Sequence, residues 1–167
     1  PLVLVRNSGD SSVANTTQIF IHARSRAQLF SIICAALEQL DLSVHDARIY
    51  SANDGMSLDT FFVLNSDGSP IADDTARLKY IRDQLSDTLA SNATYPDIVN
   101  RRTPRQVKSF SIPTETRMSI DDLRNTSVLE VAAPDRPGLL ARLGKIFVDF
   151  NLELQAAKIQ TLGERVE

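Results

Sequence analysis

The sequence holds a single cysteine, Cys34, in 167 residues. One thiol builds no disulfide framework within the chain and no cysteine-based zinc site. Only two histidines, His22 and His45, accompany it, so soft metal ligands of any kind are scarce. Long apolar runs are missing as well. Nothing approaches the roughly 20 residues that a membrane-spanning helix needs. An excess of positive charge is also missing. The net charge is −3 and the sequence pI about 5.4, which gives no electrostatic reason to expect nucleic-acid binding. There is no initiator methionine. The apolar start, Leu2-Val3-Leu4-Val5, lacks the charged n-region and small-residue cleavage site of a signal peptide. What remains is an ordinary globular composition, 43% hydrophobic and 23% charged, enough for one domain or two small ones.

Periodicity places the elements. Residues 17–23 (TQIFIHA) are β-branched and aromatic and read as a strand. From Arg26 to Leu40 the apolar residues Leu29, Phe30, Ile33, Ala36, Leu37 and Leu40 recur at helical spacing. Residues 42–51 resume as strand. Asn53-Asp54-Gly55 is a hairpin turn, because these residues tolerate positive φ. Residues 56–65 form the returning strand, and Phe61-Phe62-Val63-Leu64 predicts a central, doubly covered position. A second helix is expected over 73–90, with Leu78, Ile81, Leu85 and Leu89 on one face and Asp73-Asp74 capping its start. Residues 91–106 read as a loop and 107–113 (VKSFSIP) as a short strand. The order is β-α-β-β-α-β, the split-βαβ or ferredoxin-like α+β arrangement. A polar connector follows over 114–125, with a short extended piece at 117–120. Then come a strand at 126–133, a helix at 137–150 and a strand at 152–162.

The second half repeats the first. A shift of 110 residues brings Arg26 onto Arg136, Leu29 onto Leu139, Ile33 onto Leu143, Leu42 onto Leu152 and Ile49 onto Ile159, without gaps over some 40 residues. Cys34 falls on Gly144. Both are small, which predicts a helix face close to the sheet. The expected organisation is a lead-in from a preceding domain at 1–16, a complete βαββαβ unit at 17–113, a connector at 114–125, and the βαβ opening of a second unit at 126–167. Its returning strand should begin near Val166, so the natural protein is expected to continue past Glu167.

The most informative local motif is Pro134-Asp135-Arg136-Pro137-Gly138-Leu139-Leu140. It follows a strand and opens a helix. Asp135 suits a cap or the positive helix end. Pro137 suits the first turn, where its missing N–H would be unpaired anyway. Gly138 leaves room for an approach to the backbone. The free N–H groups of such a turn can hold a small anion, such as an amino-acid carboxylate. A well-capped helix start with no ligand fits the same residues. The first copy has Arg24-Ser25-Arg26-Ala27-Gln28 at this point. Proline and glycine are absent there, and Ser25 is the available cap.

The run from Leu129 to Leu143, with Asn151-Leu152-Glu153-Leu154-Gln155-Ala156-Ala157-Lys158-Ile159-Gln160-Thr161 after it, resembles the opening of an ACT domain. ACT domains are βαββαβ regulatory modules that bind amino acids and pair through sheets or helices. The tandem arrangement, opened by Thr17-Gln18-Ile19-Phe20-Ile21 and closed by 107–114, resembles the C-terminal region of the bacterial PII uridylyltransferase family. The resemblance implies a glutamine-sensing module beside the family's nucleotidyltransferase and HD-type hydrolase domains. Those domains add and remove uridylyl groups on the PII signal protein. It implies no catalytic residue and no cofactor within this chain. It implies that Mg2+, UTP and the hydrolase metal belong to the catalytic domains, and that the location is cytoplasmic. The ligand-contacting positions it implies are Asp135, Arg136, Pro137, Gly138, Leu139 and Leu140, with Gln155, Ala157 and Lys158 on the next strand. In the first copy they are Arg26, Gln28 and Leu29. Gln155 and Lys158 cannot share a face of a regular strand, because their separation is odd. A homodimer through the sheets is a further implication.

Other residues carry weaker signals. His22 and His45 lie on strands without a ligand-like cluster and read as structural or exposed. Cys34 sits among apolar residues and reads as a buried small side chain. Arg101, Arg102, Arg105 and Lys108 read as a solvated loop. An RNA-binding module of this topology would present aromatics on its sheet. Tyr50 alone stands on the 42–51 strand, which argues against that class. No nucleophile–base pair, phosphate-binding loop or carboxylate pair argues for catalysis within the chain. An ACT pair from another enzyme of amino-acid metabolism, or a purely structural pairing module, is the alternative.

Overall fold

The computed structural model describes residues 1–7, 15–26, 28–71, 74–91, 113–123 and 125–167. In chain order the elements are β1 (Leu2–Asn7), β2 (Thr17–Arg24), α1 (Leu29–Gln39), β3 (Leu42–Ser51), β4 (Met56–Asn65) and α2 (Thr75–Ala90). β5 (Glu115–Asp121), β6 (Thr126–Pro134), α3 (Leu139–Asp149), β7 (Ala156–Leu162) and β8 (Arg165–Val166) follow. The strands form one antiparallel sheet in the order β1-β2-β4-β3-β7-β8-β6-β5.

Strand alternation builds the first core. Ile19 and Ile21 of β2, Ala47 and Ile49 of β3, and Phe61 and Val63 of β4 are buried on one face. β4 lies between β2 and β3, and Phe62 on its other face is buried too, as the apolar run predicts. Helix α1 is buried from Leu29 to Leu37, because α2 and α3 both pack against it. Asp74 Oδ1 accepts the Ala76 N–H at 2.9 Å and caps α2. Arg77 of α2 donates to the Leu40 carbonyl at 2.8 Å, at the negative end of α1.

The apolar start is itself a strand of this sheet. β1 pairs antiparallel with β2, Val3 is buried, and α2 packs over it. The strand expected at 107–113 falls on 107–112, outside the described residues, together with Arg101, Arg102, Arg105 and Lys108.

The repeat is visible in the geometry. Helices α1 and α3 have the same length, and their bounds differ by the 110-residue shift. The two units join through β3 and β7, where Arg48 lies opposite its own repeat equivalent, Lys158. Ala47 faces Ile159 and Ile49 faces Ala157, so the pairing reads the same from either unit. Side chains obey the same symmetry. Thr161 Oγ1 donates to the Val44 carbonyl at 2.9 Å, and its equivalent Ser51 Oγ donates to the Leu154 carbonyl at 3.1 Å. The units are therefore related by a pseudo-twofold axis, as in an isologous dimer made from one chain.

Several sequence expectations are corrected. Gly144 faces the other helix rather than the sheet. A Cβ there would fall 2.8 Å from Ser31 Cβ and 2.9 Å from Ser31 Cα, so the missing side chain permits the α1–α3 contact. Ser31 Oγ donates to the Ala141 carbonyl, 3.1 Å away, within the same contact. Neither Ser25 nor Asp135 caps a helix. The caps of α1 and α3 are Gln28 and Gly138, and neither makes a side-chain cap hydrogen bond. The Asp135 N–H donates instead to the Glu164 carbonyl. Pro137 precedes the cap, outside the first helical turn, and Gly138 is needed for its φ of 79°. Residues 152–155 are not part of β7, although the Ser51 N–H still donates to the Gln155 carbonyl in register with the β3–β7 pairing, and Ser51 Oγ donates to the Leu154 carbonyl.

Candidate functional site

The join between the units leaves a cleft of about 640 Å³ on one side of the axis. That size suits a small ligand. One wall is the turn into α1, with Ser25, Arg26, Leu29 and Phe30. The opposite wall comes from the other repeat, the segment 151–155. The floor is the β3–β4 hairpin, with Ile49, Ser51, Ser57 and Asp59.

Local chemistry explains why the cleft stays open. The Ser25 N–H donates to the Gly55 carbonyl at 2.8 Å, which ties the turn to the hairpin. Gly55 carries a φ of 79°, the left-handed geometry that favours glycine in the turn. Ser51 spans the two repeats. Its N–H donates to the Gln155 carbonyl at 2.8 Å, and its hydroxyl to Leu154. These two bonds pin the 151–155 segment against the end of β3, where it forms a wall of the cleft. Arg26 accepts the Leu29 N–H through its carbonyl at 2.9 Å, closing the first turn of α1. Arg136 and Leu139 repeat this bond at 3.0 Å in α3.

Polar groups line the floor. Ser57 and Asp59 sit two apart on the inward face of β4, and both are buried. Ser57 Oγ donates to Asp59 Oδ1 at 2.6 Å. Burial pushes the Asp59 carboxyl above its ordinary range, while the hydrogen bonds from Ser57 and the Tyr50 backbone pull it back in part. Cys34 is buried on α1, and its thiol is pushed far up by burial, then by the Asp59 and Glu38 charges. Such a thiol is inert rather than nucleophilic.

The sequence-derived positions divide between locations. Arg26, Leu29 and Gln155 line the cleft. Gln28 is the exposed cap of α1. Asp135, Arg136, Pro137, Gly138, Leu139 and Leu140 form the equivalent turn into α3, across the pseudo-twofold axis from this cleft. Asp135 is half-buried there, and burial raises its carboxyl as well. Ala157 and Lys158 lie in β7 against β3, with Lys158 exposed. Ser51, Ser57 and Asp59 escaped the sequence reading. The available signal was a pair of polar residues, Ser57 and Asp59, on the same strand face as Phe61 and Val63. Among the described residues no group of three or more His, Cys, Asp or Glu side chains could hold a metal ion. No helix among them is long and apolar enough to cross a membrane.

An α+β module with a duplicated βα unit and a cleft at the repeat interface is an ACT-like architecture. A family model described as the ACT-like domain of plant bHLH transcription factors matches residues 11–82. Across all 167 residues the chain is 48% identical to the bifunctional uridylyltransferase/uridylyl-removing enzyme of Azotobacter vinelandii. Proteins of the same name from Pseudomonas putida and Pseudomonas aeruginosa are also 48% identical over the whole chain. The chain is thus similar throughout to a segment of these enzymes, and spans 19% of the length of each relative. No solved structure matches it significantly.

Proposed function

We propose that this chain is the amino-acid-sensing module of a uridylyltransferase/uridylyl-removing enzyme, with glutamine as its ligand. The observation that carries this reading is the composition of the cleft. One wall is a helix start from the first repeat, and the other is the 151–155 segment of the second. A ligand held there touches both units and stabilises one packing of the pair over another. Regulation needs only such a difference in affinity between states, and a coupling of about 1–3 kcal/mol is enough to shift activity usefully. The start of α1 has no side-chain cap, so the first-turn N–H groups beyond Leu29, whose own N–H is held by the Arg26 carbonyl, suit a ligand carboxylate.

In this reading the module acts on catalytic domains of the same protein. Through them it sets the balance between uridylylation and deuridylylation of the PII protein in the cytoplasm. Mg2+, UTP and a hydrolase metal serve those domains and not this one. Two chains could pair through the sheet edges at β1 and β5. Calorimetry of the full-length enzyme with a panel of amino acids tests the reading. Glutamine should bind and change the ratio of the two activities. Binding of serine, phenylalanine or lysine instead would point to an ACT pair of another specificity. Binding of none would leave a structural pairing role.

A further inference from the structure

Asp59 is 1% exposed, yet it contributes to the floor of the cleft. Its hydrogen-bond partners are uncharged. Ser57 bonds one oxygen, and the Tyr50 backbone contributes a second hydrogen bond. The Cys34 thiol on α1 lies within reach of its electrostatic field. Arg26 and Glu153 stand on the two cleft walls. Among the described residues, no Lys, Arg or His side chain forms an ion pair with Asp59. A buried carboxylate is ordinarily paired with a cation, because desolvation otherwise makes its ionised form costly. The cleft floor is where Asp59 comes nearest to solvent.

We infer that Asp59 is the specificity residue of the cleft: it pairs with the α-ammonium group of a bound amino acid while the ligand carboxylate lies at the start of α1. The inference rests on the sensing reading above and adds the group that recognises the ligand's amine. The walls fit this orientation. The helix end favours negative charge, and the floor carboxylate disfavours it, so a zwitterion is oriented by both. An anion without an amine meets repulsion at the floor, which supplies discrimination as well as affinity.

Two probes test this on the full-length enzyme by calorimetry, L-glutamine and its desamino counterpart 4-carbamoylbutanoate. Wild-type enzyme should bind glutamine roughly ten- to hundred-fold more tightly, the worth of a charge-assisted hydrogen bond. Asp59→Asn should erase that preference by weakening glutamine and leaving 4-carbamoylbutanoate nearly unchanged. Equal affinity of the wild type for both probes would overturn the inference, and needs no variant. Loss of both probes in a folded Asp59→Asn protein would also overturn it, since that is the mark of a structural role. If wild-type enzyme bound no amino acid at all, the sensing reading would fall first and this one with it.

Discussion

Gly144 shows how little room the α1–α3 contact leaves. Its absent Cβ would sit within 3 Å of Ser31 Cβ and Cα, the latter main-chain, and main chain cannot rotate out of the way. Gly144→Ala should therefore destabilise the protein by about 1–3 kcal/mol through overpacking, although alanine favours helix. Urea unfolding measures this. An unchanged midpoint would mean that the helices separate without cost. Asp59 makes the opposite prediction for the free protein. Its carboxyl is raised in the folded state, so folded protein holds the proton more tightly than unfolded protein does. Stability is lost as pH rises from the ordinary Asp value, about 3.9, through the raised value. Asp59→Asn should be more stable than wild type at pH 7, and the difference should shrink below about pH 4. Urea titrations at the two pH values would show it. A variant less stable at pH 7 than wild type would contradict the assignment.

At the scale of elements, the β3–β7 pairing places two like charges opposite one another. Arg48 and Lys158 are cross-strand partners on the exposed face, and like charges in that position are destabilising. Lys158→Glu should stabilise the joint by about 0.2–1 kcal/mol, and the gain should fade as salt is raised. Thermal unfolding at low and high ionic strength reads both effects. The same elements show what sequence can and cannot reveal. β3 and β4 run over the residues that alternation and the Asn53-Asp54-Gly55 turn predict, because hairpin chemistry is local. The start of α2 follows its sequence signal, since Asp74 caps it, but the starts of α1 and α3 do not, since both lack the expected side-chain bond. The wall at 152–155 resembles a strand in sequence. Its place in the cleft is fixed by Ser51, about 100 residues away, which local patterning does not register. For the same reason Arg26, Leu29 and Gln155 of the cleft were legible through resemblance. Asp59 was not, because it belongs to a strand floor contributed by tertiary packing.

Across the whole molecule, burial is uneven. Met118 and Ile120 of β5 are 71% and 72% exposed, while the first unit encloses most of the buried apolar cluster. Regions with few buried apolar contacts open at lower free energy. Amide exchange should therefore be fastest in β5 and β6 and slowest in β2, β4 and α1. Uniform protection would contradict that order. Cys34 supplies an internal probe of the slow region. Its thiol is buried, so alkylation in native buffer should proceed only through opening of the first unit, and under the proposed function glutamine should slow it further. A thiol modified at the rate of a free one would contradict its burial.

The strand joint between the repeats has a last consequence. Two separate subunits meeting through β3 and β7 would fall apart on dilution. Here the halves share one covalent chain, so each sees the other at a fixed effective concentration. Under the proposed sensing role, a ligand threshold set at this joint would therefore be independent of how much protein is present.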